Sequence, residues 1–80
     1  MYSPDEIKIL VEKGIPGSRA EVRDMTGTSD HFELIVVAEA FQGKNAVARH
    51  RMVYGAIGSA VGGEIHALSL RTLTPEEEKR

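Results

Sequence analysis

The stretch from His31 to Leu70 constrains this chain more than any other. It reads as an apolar strand, HFELIVVAEA, a polar connection, FQGKN, a helix, AVARHRMVYGAIGSAVGG, and a second apolar strand, EIHALSL. A strand–helix–strand crossover of this length sets its two strands parallel and adjacent or nearly so. Parallel neighbours begin at the same edge of the sheet. Both strands begin beside a histidine, His31 on the first and His66 on the second, 35 positions apart (66 − 31). The topology therefore predicts two imidazoles near one rim.

The flanking segments supply the rest of a fold. Ser3, Pro4 and Glu6 form a capping box with a proline start, and Asp5 and Glu6 suit the positive end of a helix dipole. Ile7, Leu10 and Val11 give that helix an apolar stripe. Gly14 ends it, and Ile15-Pro16-Gly17 turns the chain. Ser18 to Asp24 alternates, with Ala20 and Val22 opposed to Arg19, Glu21 and Arg23, as a half-exposed edge strand does. The polar loop Met25 to Asp30 predicts a hairpin into the strand from His31 to about Ala40. Phe32, Leu34, Val36 and Ala38 share one face of that strand, and Ile35 and Val37 lie on the other, the pattern of a central strand.

Asn45 is a plausible N-cap for the next helix, and Gly62-Gly63 is expected to end it. Val47, Met52, Val53, Ala56, Ile57, Ala60 and Val61 form its expected buried stripe. Gly55 and Gly58 each weaken it by about 1 kcal/mol relative to Ala. The last strand is expected over Glu64 to Leu70, with Ile65 and Ala67 opposed to His66, Leu68 and Leu70. Thr74, Pro75 and Glu77 repeat the capping box and predict a short, exposed helix over Thr74 to Arg80. The order is α-β-β-α-β with a short C-terminal helix. It predicts an α+β sandwich of helices over a three-stranded mixed sheet, in one small domain spanning residues 1–80.

Composition narrows the chemistry. The chain has no cysteine, so it carries no disulfide and no thiolate metal site of its own. That fits a reducing cytosol or an organelle interior. No apolar run has the length of a membrane span, and MYSPDEIK lacks the pattern of a signal peptide, so a soluble intracellular chain is expected. The formal net charge of −2 lacks the global basic excess of a protein devoted to phosphate backbones. Locally the balance reverses, because no acidic residue falls between Gly43 and Gly63 while Lys44, Arg49 and Arg51 do. Hydrolase and transferase chemistry is disfavoured: there is no thiol nucleophile, no serine elbow, and the Phe41-Gln-Gly-Lys-Asn turn lacks the spacing of a phosphate-binding loop.

Two constellations remain. A lone His66 in an apolar strand reads first as a half-buried imidazole satisfied by the backbone. His31 at the matching edge raises a second reading, a pair of neutral imidazoles as metal or cluster ligands. Two imidazoles make an incomplete site, to which Asp24 or Asp30 could add an oxygen and another molecule further ligands. The other constellation is Arg49-His50-Arg51. Three consecutive helical positions spread over about 200°, so they do not share a face. Either they are a solvated surface with packed stems, or, with Lys44, they contact phosphates.

The ordered set Phe41-x-Gly43-x-x-x-Val47-x-Arg49-His50-Arg51-x-Val53-Tyr54, then Ile65-His66-Ala67-Leu68-Ser69-Leu70, then Thr72-x-Thr74-Pro75-Glu76, resembles the BolA family over nearly the whole chain. The resemblance implies a type II KH-like fold, α-β-β-α-β, and a non-enzymatic role as partner of a monothiol glutaredoxin. The pair would share a bridging [2Fe-2S] cluster, completed by the glutaredoxin cysteine and by glutathione. It implies His66 as one ligand and His31, in the place where members carry Cys or His, as the other. Histidine ligation would raise the cluster potential relative to all-thiolate ligation and make the site pH-sensitive. The isolated chain is expected to be cluster-free and a monomer or weak homodimer. The runner-up implied by the family is a transcriptional regulator that touches DNA through Lys44, Arg49, His50 and Arg51.

Overall fold

The computed structural model describes residues 3–25, 27, 31–58 and 67–79. Helix α1 spans Pro4–Gly14, strand β1 Arg19–Asp24, strand β2 His31–Val37, helix α2 Ala46–Ile57, strand β3 Ala67–Leu73 and helix α3 Pro75–Glu78. A 3-10 turn, Glu39–Phe41, follows β2. The sheet order is β1-β2-β3, with β1 antiparallel and β3 parallel to the central β2. This is the mixed α+β architecture expected from the pattern.

Local chemistry accounts for the starts. Ser3 Oγ accepts from the Glu6 N–H at 3.1 Å, and Glu6 Oε1 accepts from the Ser3 N–H at 3.3 Å, closing the capping box of α1. Asn45 caps α2 by accepting from the Ala48 N–H at 2.9 Å. Between them, α1 and α2 bury Ile7, Val11, Val53 and Ile57 against Ala20, Phe32, Leu34 and Val36 of the sheet. The helices meet so closely that a Cβ on Gly14 would stand 2.4 Å from Ala56 Cβ. Gly14 therefore does more than end a helix; it is the contact point of the helical layer.

Four expectations need correction. Strand β2 stops at Val37 rather than near Ala40, because the chain leaves the sheet to drop Phe41 fully into the core. Helix α2 ends at Ile57 rather than at Gly62-Gly63: Gly58, at φ +79°, takes a left-handed conformation open to glycine, and its N–H returns to the Tyr54 carbonyl. Ala60, Val61 and the glycine pair lie outside the described residues. Val47, expected in the buried stripe, is 59% exposed. Strand β3 runs three residues past Leu70 to Leu73, whose carbonyl accepts from the Ala38 N–H at 3.0 Å; Glu64, Ile65 and His66 lie outside the described residues.

Candidate functional site

The rim at the start of β2 and β3 comes first. In the parallel register His31 stands opposite Ala67, and the pairing continues without a break to Val37 opposite Leu73. The two strands are thus immediate neighbours and co-directional, in agreement with the crossover argument. His31 is exposed, while its neighbour Phe32 is buried, so alternation turns the imidazole to the sheet face away from α1 and α2. Its carbonyl accepts from the Met25 N–H at 2.8 Å, which ties the end of β1 to the same rim. Asp24 Oδ1 accepts from the Gly27 N–H at 3.0 Å. His66 and Asp30 lie outside the described residues; Ala67, next to His66 in the chain, is the residue that faces His31. Among the described residues no three His, Asp or Glu side chains converge as a metal cage. An exposed imidazole is chemically able to supply one metal donor, and a complete site needs further donors from beyond these residues.

The basic triplet divides. Lys44 and Arg51 are exposed, and His50 is half-buried with its ring edge-on to Tyr54, 6.3 Å between centroids. Arg49 turns inward, its side chain only 13% exposed. Its Nε donates to the Lys44 carbonyl at 2.9 Å, and its Nη1 donates to Glu77 Oε1 at 2.7 Å and to the Thr72 carbonyl at 3.4 Å. Its guanidinium carbon sits 5.8 Å from the centre of the buried Phe41 ring. Glu77 also accepts from the Thr74 N–H at 2.8 Å, as the third helical residue of the second capping box. The Arg49 guanidinium and that N–H together hold the Glu77 carboxyl down at about 2. Helix α3 is therefore not a loose tail. Thr74 is buried, and Arg19 of β1 adds a second tie to α3 by pairing with Glu78.

Glu77 is the residue that sequence reasoning left out of any site. The capping box located it, but only as a local device. The signal that points further is the spacing Arg49, Val53, Ile57: Arg49 lies on the buried stripe of α2, one turn before its first core residue.

Comparison with known proteins settles the lineage. The BolA-like protein family model matches residues 4–77. The chain belongs to the BolA family. It is 41% identical to the DNA-binding transcriptional regulator BolA of Vibrio cholerae, over 95% of this chain and 66% of that protein. Among solved structures, a BolA homologue from Coxiella burnetii superposes with a TM-score of 0.85 at 41% identity, over the whole of both chains. Yeast Fra2 superposes with a TM-score of 0.78 at 31% identity, over 99% of this chain and 86% of that one. The chain spans 16–66% of the length of several curated relatives it matches, human BolA-like protein 1 among them at 37%.

The BolA motif now has a physical reading. Phe41 lies under Arg49, Gly43 holds φ +74° between them, and Thr72 and Thr74 supply the carbonyl and the cap that Arg49 and Glu77 use. Much of what marks the chain as a BolA protein is one clamp joining α2, β3 and α3. No helix among the described residues is long and apolar enough to cross a membrane.

Proposed function

We propose that this BolA protein is a non-enzymatic iron–sulfur adaptor, pairing with a monothiol glutaredoxin and co-ligating a bridging [2Fe-2S] cluster through His31 and His66. The observation that carries the proposal is the parallel β2–β3 register, with an exposed His31 opposite Ala67, the chain neighbour of His66. The BolA resemblance supports it, because the Ile65-His66-Ala67-Leu68 motif implies His66 as a ligand. A chain without cysteine offers imidazoles only, so two thiolates must come from elsewhere, and the glutaredoxin cysteine and glutathione match that need. When bound, such a cluster supplies one-electron chemistry and a transferable iron–sulfur unit. This chain's own part is to present imidazole nitrogens to the cluster. Because protons compete with metal for those nitrogens, cluster retention should weaken on acidification.

Mixing the protein with a monothiol glutaredoxin, iron, sulfide and glutathione tests the reading. Visible absorption and circular dichroism should differ from those of the glutaredoxin alone. His66→Ala and His31→Ala should each remove that difference. Spectra unchanged by His66→Ala would end the ligand assignment.

A second reading is a DNA-binding regulator, favoured by the name of the Vibrio cholerae relative and by the exposed Lys44 and Arg51 in a segment that carries no acidic residue. With Arg49 engaged in the clamp, Lys44, His50 and Arg51 are left to meet phosphates. Binding should then show a log–log salt slope that falls by about 1 with Arg51→Ala.

A further inference from the structure

The outer edge of β1 is guarded in a way that neither proposed role requires. The Met25 N–H bonds to the His31 carbonyl in the β1–β2 register. Counting back in steps of two, Arg23, Glu21 and Arg19 turn their backbone groups toward β2, and Ala20, Val22 and Asp24 turn theirs outward. At Ala20 both outward groups are occupied by side chains of α1. Glu12 Oε2 accepts from the Ala20 N–H at 3.0 Å, and Lys8 Nζ donates to the Ala20 carbonyl at 3.0 Å. Lys8 and Glu12 also pair with each other at 2.8 Å, one helical turn apart. Two side chains thus imitate a neighbouring strand at one residue.

The strand they cover is self-complementary. Antiparallel pairing of two β1 strands centred on Val22 sets Val22 opposite Val22, and Ala20 opposite Asp24, all with outward groups in phase. The same register sets Glu21 opposite Arg23 of the second copy, twice over. Sliding by two residues either way sets Glu21 against Glu21 or Arg23 against Arg23. Sliding by four, to a register centred on Ala20, sets Glu21 opposite Arg19 instead; both registers that match hydrogen-bond phase and charge need the Ala20 N–H and carbonyl.

We propose that the Lys8–Glu12 pair is an edge lock that keeps two copies of this chain from joining through β1. With the lock closed, only the Val22 pair at the centre of the Val22-centred interface can form, and a single pair does not hold two strands together.

Sedimentation equilibrium of wild type and of the Lys8→Ala/Glu12→Ala variant tests the lock, with far-UV circular dichroism as the check on folding. The variant should self-associate to a dimer at least about tenfold more tightly than wild type, the shift expected from restoring a few strand hydrogen bonds. Adding Glu21→Lys, which sets a cation against Arg23 of the second copy, should return it to wild-type behaviour. A folded double variant that sediments like wild type overturns the proposal, as does a dimer indifferent to Glu21→Lys. If the double variant does not fold, amide hydrogen exchange on wild type decides: Ala20 should be protected well above Val22, and equally fast exchange at both overturns the lock.

Discussion

Replacing Arg49 by alanine separates a structural role from a nucleic-acid role at the residue where the two compete. The side chain is 13% exposed and donates to two backbone carbonyls, Lys44 at 2.9 Å and Thr72 at 3.4 Å, as well as to Glu77. Each carbonyl bond contributes about 1 kcal/mol net. Contact of the guanidinium with the Phe41 ring adds about 0.5–1 kcal/mol, and the buried stem contributes a similar amount. Nothing is added for the Glu77 carboxylate, which stays in water and is screened there. The expected loss is about 3–4 kcal/mol, which for a chain of this size lowers the thermal midpoint by about 12–32 °C. Arg51→Ala is the control. Arg51 is exposed, so its loss should change stability by no more than about 0.5 kcal/mol. Thermal unfolding by circular dichroism and a salt series of DNA binding on both variants give the comparison. Arg49→Ala should move the midpoint and leave the salt slope of the folded fraction unchanged; Arg51→Ala should do the reverse. An Arg49→Ala protein melting within about 2 °C of wild type, or one with a reduced salt slope, would refute the clamp.

Three further substitutions test the frame. Gly14→Ala drives a methyl group to 2.4 Å from Ala56 Cβ, so overpacking of about 1–3 kcal/mol outweighs a helix gain of at most about 1 kcal/mol. A denaturant double-mutant cycle with Ala56→Gly should show coupling of about 1 kcal/mol or more, and additivity would contradict the close approach. Glu77, held at about 2 against an ordinary value near 4.5, stabilises the fold above the ordinary value and loses that contribution as pH falls from about 4.5 toward 2. Glu77→Gln should therefore flatten the acid limb of the stability curve, and parallel limbs would count against the pairing. Gly43→Ala, at φ +74°, should cost about 1–2 kcal/mol, whereas Gly55→Ala inside α2, where an added Cβ meets nothing within 4 Å, should gain up to about 1 kcal/mol; urea midpoints moving in the same direction would refute the distinction.

What the sequence reveals is mostly local or periodic. Both capping boxes are readable because donor and acceptor lie three residues apart, and the hairpin and crossover because hydrophobic alternation fixes strands. The misreadings concern phase and distance. Hydropathy groups Val47 with Val53 and Ile57, but the stripe that faces the sheet runs Arg49, Val53, Ile57, which sets Val47 with Arg51 and Tyr54 on the outer side. An arginine on a core stripe hides the stripe's true start, since hydropathy alone skips it. Gly14 shows the same limit: glycine after a helix reads as a stop signal, and the need for a bare Cα against Ala56 depends on how α1 meets α2. The capping box puts Glu77 at the correct place in its helix, yet its pairing with Arg49 joins residues 28 positions apart, which no window of local sequence contains.

The clamp and the histidine rim lie at opposite ends of one strand pair, and that relation gives the buried arginine a bearing on the proposed function. Strand β3 is held at its C-terminal end by the Thr72 carbonyl under Arg49, by the Ala38–Leu73 bond and by the Thr74 cap that Glu77 completes. From there the register runs unbroken to His31 opposite Ala67. A slip of one residue anywhere along β3 would exchange its two faces and change which residue stands opposite His31. The anchors at the far end of the strand therefore fix the register that positions the rim. Under the proposed function, Arg49 and the Thr74-Pro75 cap would support ligand presentation by fixing the strand register from its far end, without touching the rim.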